Sequence, residues 1–187
     1  MGNHDTFLNK VKQLQLEFLK HSKVKKIVFI SLLSSFSAIF QSAGGFFPGI
    51  GYLINPLATA PIILSAAFSQ TLGFFAYLLT ILLLLIVQPS ELIVFPFTTG
   101  LLGIAIGVSI YYLKKGVSIV LYGAIALTAG ICLLLYGLNF PVLGPVVSHS
   151  FSILVVGMIF VFSFFYSWLW MVISKILIKK FTFLKSP

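Results

Sequence analysis

Six long apolar stretches with almost no charge inside them constrain this sequence more than any other feature. Of its 187 residues, 59% are hydrophobic and only 8% are charged. A soluble domain carries about 25% charged residues and could not cover its surface with so few. Because about 20 consecutive apolar residues suffice to cross the hydrocarbon core of a membrane, the bilayer is expected to solvate most of this chain.

The breaks between the apolar stretches predict an all-α fold with six transmembrane helices. The expected spans are 27–43, 57–68, 72–87, 94–113, 117–138 and 153–173. The second span is the shortest, and the sequence leaves open whether it crosses the membrane fully. Glycines and a proline are crowded between Gly44 and Gly51, so a loop is expected over residues 44–56.

These spans divide the chain into three parts. Residues 1–26 form a cytoplasmic N-terminal segment, residues 27–174 form the transmembrane domain, and residues 175–187 form a lysine-containing tail. Within the first part, apolar residues at helical spacing predict an amphipathic helix over residues 5–25: Phe7, Val11, Leu14 and Phe18. Such a helix is typical of an interfacial anchor, and the alternative is a helix that docks a partner protein.

The lysines predict the orientation of the helices. All twelve basic residues are lysines: six precede Ile27, two are Lys114 and Lys115, and four follow from Lys175 onward. With six spans, every lysine and both termini share one side, whereas the loops 44–56, 88–93 and 139–151 on the other side contain none. The positive-inside rule then places the lysines in the cytoplasm of a multi-pass protein of the plasma membrane.

The basic charge does not indicate nucleic-acid binding. The chain has no arginine, which supplies the bidentate contacts of most nucleic-acid readers. The lysines are instead expected to lie near anionic lipid headgroups, so membrane lipids are the expected partners and nucleic acid is not.

Polar residues that could bind a ligand gather on the lysine-free side. Glu91 is the only acidic residue after Glu17, and a carboxylate near the membrane is costly and often functional. The alternative for Glu91 is an ordinary solvated loop carboxylate. Aromatic residues of the same loops could supply an apolar wall. The candidate ligand-binding residues are Gln41, Asn55, Glu91, Thr98, Thr99 and Asn139.

Catalytic and metal-binding patterns are missing from the sequence. His149 has no second histidine or cysteine in its loop, and Cys132 is the single cysteine. A metal site needs several convergent ligands, and no serine, histidine and aspartate arrangement suggests a hydrolase. We therefore expect neither an enzyme nor a metal or cofactor.

A stripe of small residues runs along the first span. Ser34, Ala38 and Ser42 recur every four residues, which lets helices approach closely. Either the stripe packs inside this protein or it faces another membrane subunit, and the sequence leaves both open. The candidate partner-interface residues are Ser31, Ser34, Ser35, Ala38 and Ser42.

Several of these features together resemble those of a known family. The run from Lys25 to Ala38, the proline-containing first outward loop and the Thr98, Thr99, Gly100, Gly103 and Gly107 helix are similar to the substrate-binding (S) components of energy-coupling factor (ECF) transporters. The resemblance is one of size, topology and small-residue placement. It implies a vitamin-like ligand held under the 44–56 loop, a transmembrane coupling subunit that contacts the stripe, and two partner ATPases.

Two further expectations concern the ligand. The chain has no Gly-rich phosphate loop, so ATP would be hydrolysed by partner subunits. The lysine-free side has no cation to pair with an anion, which favours a neutral or cationic ligand. The alternative functions are an accessory or scaffold subunit without a ligand of its own, and a stand-alone channel or carrier.

Overall fold

The computed structural model describes residues 2–47, 49–113, 115–140, 142 and 152–183, and they form helices and short connections without any strand. Within these residues the helices are α1 (Gly2–Lys20), α2 (Lys23–Phe46), α3 (Gly51–Ile54), α4 (Thr59–Phe68), α5 (Gln70–Val87), α6 (Glu91–Phe97), α7 (Thr99–Tyr112), α8 (Gly116–Cys132) and α9 (Ile153–Phe183). A 3₁₀ turn, Asn55–Ala58, leads into α4, and a π-helical turn, Leu133–Gly137, continues α8.

Six helical segments in the described part of the chain are long and apolar enough to cross a membrane. They are Lys23–Phe46, Gly51–Phe68, Gln70–Val87, Glu91–Tyr112, Gly116–Gly137 and Ile153–Lys180. The predicted all-α fold with six helices of transmembrane length and hydropathy is therefore confirmed. The second segment, whose crossing the sequence left open, contains 18 residues and meets the same criterion as the others.

The predicted loop over residues 44–56 is wrong in extent. Helix α2 continues to Phe46 and the chain is helical again from Gly51, so the break is short. Gly44 and Gly51 serve close packing here, because a Cβ on Gly44 would lie 2.7 Å from the Asn55 amide nitrogen and one on Gly51 would overlap the Ala43 carbonyl. A glycine that breaks a helix and one that admits a neighbour look alike in sequence.

The helices of the two terminal parts have bounds that the sequence did not predict. Helix α1 ends at Lys20, and Ser22 caps a new helix by accepting a hydrogen bond from the Lys25 backbone nitrogen, so the helix predicted over 5–25 is interrupted. At the other end α9 runs through the 174–175 boundary to Phe183. The Phe7 side chain, residues 184–187, Lys114 and His149 lie outside the described part.

Helix α4 occupies the centre of the bundle. From Pro61 to Phe68 every residue is buried, and α4 packs against α1, α2, α5, α7 and α9. Ala66 is fully buried at the point where α4 meets both Gly73 of α5 and Gly107 of α7. A Cβ on either glycine would overlap Ala66, so these three helices approach as closely as their backbones allow.

Helix α1 closes one end of the bundle. Val11, Leu14 and Phe18 are buried, and the Gln15 side-chain nitrogen donates a 2.8 Å hydrogen bond to the Ala67 carbonyl at the end of α4. The Phe18 ring packs 5.2 Å from that of Phe68, measured between centroids. The ends of α2, α3 and α8 and the start of α6 therefore lie at the opposite end of the bundle.

The close packing around Ala66 predicts that Gly107→Ala destabilises the protein. The added methyl group would overlap the Ala66 side chain, and overpacking of this kind costs about 1–3 kcal/mol. We expect a lower melting temperature for the purified protein in detergent. The matched control is Gly157→Ala in α9, where nothing lies within 4 Å of the new Cβ, and it should not lower the melting temperature. A Gly107→Ala variant as stable as the control would contradict this packing.

Candidate ligand-binding site

A cavity of about 610 Å³ opens at the end of the bundle opposite α1. Its volume lies within the range of small-molecule sites, about 300–1,000 Å³. Its wall combines polar side chains with apolar and aromatic ones, and none of the described lysines contributes to it. The lining residues are Gln41, Tyr52, Asn55, Pro56, Ser90, Glu91, Val94, Thr98, Thr99, Phe140 and Val142.

A chain of two hydrogen bonds forms the polar wall. The Thr99 hydroxyl donates to the Gln41 side-chain oxygen at 2.7 Å, and the Gln41 side-chain nitrogen donates to Glu91 Oε2 at 2.7 Å. Gln41 is only 1% exposed, so it reaches the cavity from inside the bundle. The chain joins the end of α2 to the starts of α6 and α7, across 50 and 58 positions of sequence.

The hydrogen-bond partners of Gln41 fix the orientation of its side-chain amide. An ionised carboxylate can only accept hydrogen bonds, so the NH₂ group of Gln41 must face Glu91 and its oxygen must face Thr99. The reversed amide would place two acceptors against each other. Gln41 therefore positions Glu91 and uses one of its two carboxylate oxygens.

Glu91 has no ion-pair partner among the described residues. It is the first residue of α6 and is partly exposed to the cavity. The hydrogen bond from Gln41 uses Oε2, and within the described residues no hydrogen bond involves Oε1. No lysine of the described chain lines the cavity.

Asn55, Thr98 and Thr99 combine structural bonds with a place in the cavity wall. Asn55 Oδ1 accepts a 2.8 Å hydrogen bond from the Gly44 backbone nitrogen, which ties the 3₁₀ turn to the end of α2. The Thr98 hydroxyl donates to the Val94 carbonyl at 2.7 Å, at the break between α6 and α7. Each of these side chains keeps at least one further lone pair or donor for a ligand.

The structure thus brings together five of the six predicted ligand-binding residues, namely Gln41, Asn55, Glu91, Thr98 and Thr99. Asn139 does not line the cavity: it is exposed, with φ of 51°, in the left-handed region that asparagine tolerates better than most residues. Its neighbours Phe140 and Val142 line the cavity in its place. That these residues bind a ligand stays a prediction.

Several lining residues were not predicted from the sequence: Pro56, Ser90, Val94, Phe140 and Val142. Apolar residues at a cavity carry no signal that separates them from lipid-facing or core residues. Ser90 directly precedes Glu91, and a search for polar neighbours of the carboxylate would have found it.

The small-residue stripe packs mainly inside the protein. Ser34, Ala38 and Ser42 are at most 3% exposed, and the Ser34 hydroxyl lies 3.1 Å from the Ala76 carbonyl of α5, within hydrogen-bond distance. These three residues offer no surface to a partner. Ser31 and Ser35 are exposed, and the interface prediction stays open for these two alone.

No family model, curated protein or solved structure matches the chain. Function must therefore be inferred from the site itself. Within the described residues, no group of three or more histidine, cysteine, aspartate or glutamate side chains could hold a metal ion.

The hydrogen-bond chain predicts that Gln41→Leu destabilises the protein. The substitution would remove both hydrogen bonds and leave the Thr99 hydroxyl and the Glu91 carboxylate without their partner, at a cost of about 1–3 kcal/mol. We expect a clear fall in melting temperature. Gln88→Leu is the matched control, because Gln88 makes one exposed hydrogen bond, to Ser90, at the same end of the bundle. Equal melting temperatures for the two variants would show that the two hydrogen bonds of Gln41 contribute no stability.

Proposed function

We propose that this protein is the membrane-embedded substrate-binding subunit of a transporter that takes up a vitamin-like small molecule, neutral or cationic. Partner subunits would hydrolyse the ATP. The observation that supports this is the cavity at the lysine-free end, with a polar wall that Gln41 organises from three helices. A concave site of this size that combines apolar surface with placed polar groups is typical of small-molecule binding.

The proposed direction of transport follows from the lysines. If the lysine-rich end lies in the cytoplasm, as the positive-inside rule requires, the cavity faces the outside of the cell. A solute would then be captured from outside. Helix α1, with Lys12 and Lys20 exposed, would lie on the cytoplasmic side of the membrane near anionic headgroups.

The proposed partners are a transmembrane coupling subunit and two ATPases. Because most of the small-residue stripe is buried, a coupling subunit would contact α2 through its outer face. That face carries Ser31 and Ser35 with exposed apolar neighbours, including Val28 and Leu32.

The burial of the stripe bears on the alternative function as well. An accessory or scaffold subunit without a ligand would need a conspicuous protein-binding face, and Ser34, Ala38 and Ser42 are buried and do not form one. A cavity organised around a buried glutamine is not expected of such a subunit. The binding subunit is therefore the better supported proposal.

The orientation can be tested by cysteine labelling in intact cells. On a Cys132→Ala background, Ser90→Cys should react with a membrane-impermeant maleimide, because Ser90 is exposed at the cavity end. Gln13→Cys, exposed on α1, should react only after the membrane is permeabilised. The background variant alone is the control for labelling of other groups. The reverse pattern would overturn the proposed direction of transport.

Co-purification tests the function. The tagged chain, extracted from its native membrane in mild detergent, is expected to bring with it one other integral membrane protein and two ATPases. An unrelated tagged multi-pass protein from the same membrane is the control. Recovery of a different complex, or of the chain alone, would count against an ATP-driven transporter. The accessory subunit would then be the better supported function.

A further inference from the structure

We infer that the cavity selects an organic cation, a solute with a protonated or alkylated amine, and that Glu91 recognises its positive charge. This inference rests on the proposed function, because it names the class of solute that the same cavity would take. It goes beyond that proposal by excluding neutral ligands and by assigning the selectivity to one side chain.

No described lysine compensates the charge of the Glu91 carboxylate. Every described lysine belongs to the N-terminal segment, the start of α8 or the end of α9, and none lines the cavity. A carboxylate at the edge of the membrane is costly unless a cation or several donors accompany it. Among the described residues one donor, the Gln41 amide, bonds to this carboxylate, and it does so at Oε2. A ligand ammonium group would supply the missing charge and further donors.

The Glu91 carboxylate is held by a buried hydrogen-bond donor. A solvated loop glutamate needs no buried partner, yet Gln41, which is 1% exposed, is itself oriented by Thr99 and donates to Glu91. This arrangement fixes the carboxylate as an acceptor at the cavity wall. Preorganised acceptors of this kind bind charged donors with little cost in side-chain entropy.

The aromatic and apolar residues of the cavity wall also suit an organic cation. Tyr52 and Phe140 line the same cavity, and aromatic faces attract organic ammonium groups through the charge distribution of the ring. Pro56, Val94 and Val142 add apolar surface for a carbon skeleton. A bare metal ion fits poorly, because the cavity of about 610 Å³ is far larger than an ion and the described residues offer no convergent set of ligands.

The same features reject anions. A carboxylate or phosphate solute would lie near Glu91 with no lysine to compensate, and like charges at close range are repulsive. A neutral solute would leave the carboxylate buried beneath it without a countercharge. Charge selection is therefore a consequence of the wall, independent of the shape of the solute.

The inference can be tested with pairs of probes that share a shape and differ in charge. Choline is paired with 3,3-dimethylbutan-1-ol, and benzylammonium with benzyl alcohol. Binding to the purified full-length protein in lipid nanodiscs is measured by calorimetry and by thermal shift. We expect at least one of the two cations to bind saturably and its neutral partner to bind much more weakly.

The decisive variant is Glu91→Gln, which keeps the size of the side chain and an oxygen to accept from Gln41. It should weaken cation binding about 10- to 100-fold, the value of a hydrogen bond to a charged group, and leave the weak binding of the neutral probes unchanged. Glu17→Gln is the matched control, because it removes the same charge from α1 at the opposite end of the bundle. Melting temperatures without probe must be similar for the two variants.

The results separate this inference from the proposed function. Absence of binding by both cations, equal binding of a cation and its neutral partner, or equal loss in the two variants would overturn cation selection, even if two ATPases co-purify. Conversely, Glu91-dependent cation binding by a chain that co-purifies with no ATPase would support cation selection and overturn ATP-driven transport.

Discussion

The close approach of three helices around Ala66 is the constraint on which the rest of the structure depends. Inside a bilayer apolar surface gains nothing by leaving lipid, so helices associate through tight packing and hydrogen bonds between them. Gly73 and Gly107 leave room for Ala66 on both sides of α4, and the carbonyls of α4 then become acceptors for its neighbours. Gln15 of α1 donates to Ala67, and Tyr111 of α7 donates to Phe68. The central helix thus fixes the positions of elements that are remote in sequence.

The cavity follows from the entry of the chain into this central helix. Asn55 holds the 3₁₀ turn before α4 against the end of α2. At the end of the same turn, the Ser37 hydroxyl donates a 2.9 Å hydrogen bond to the Ala58 carbonyl. These bonds leave the end of α2 facing the starts of α6 and α7, where Gln41 meets Glu91 and Thr99. The site is therefore built from helix ends, which the bundle holds rigidly, together with the short segment after α8.

Properties that depend on local composition could be predicted from the sequence, and properties that depend on contacts could not. Hydropathy placed all six spans, and polarity on the lysine-free side selected Gln41, Glu91 and Thr99, since polar groups are rare in such a chain. The loop around Gly44 was overestimated because a glycine at a helix–helix contact has no local signature. Likewise, whether the Ser34 stripe faced inward depended on the position of α5. The hydrogen-bond chain itself, across 50 and more positions, had no signal in a single sequence.

Helix α2 connects the two ends of the molecule. Its C-terminal end carries Gln41, one hydrogen bond away from the carboxylate that faces the cavity. Its N-terminal end meets α1, where the Lys26 side-chain nitrogen donates to the Leu19 carbonyl at 2.7 Å. Between these points its inner face is packed against α5 and its outer face is exposed. The polar wall of the cavity and the contact with α1 are therefore carried by one continuous helix of 24 residues.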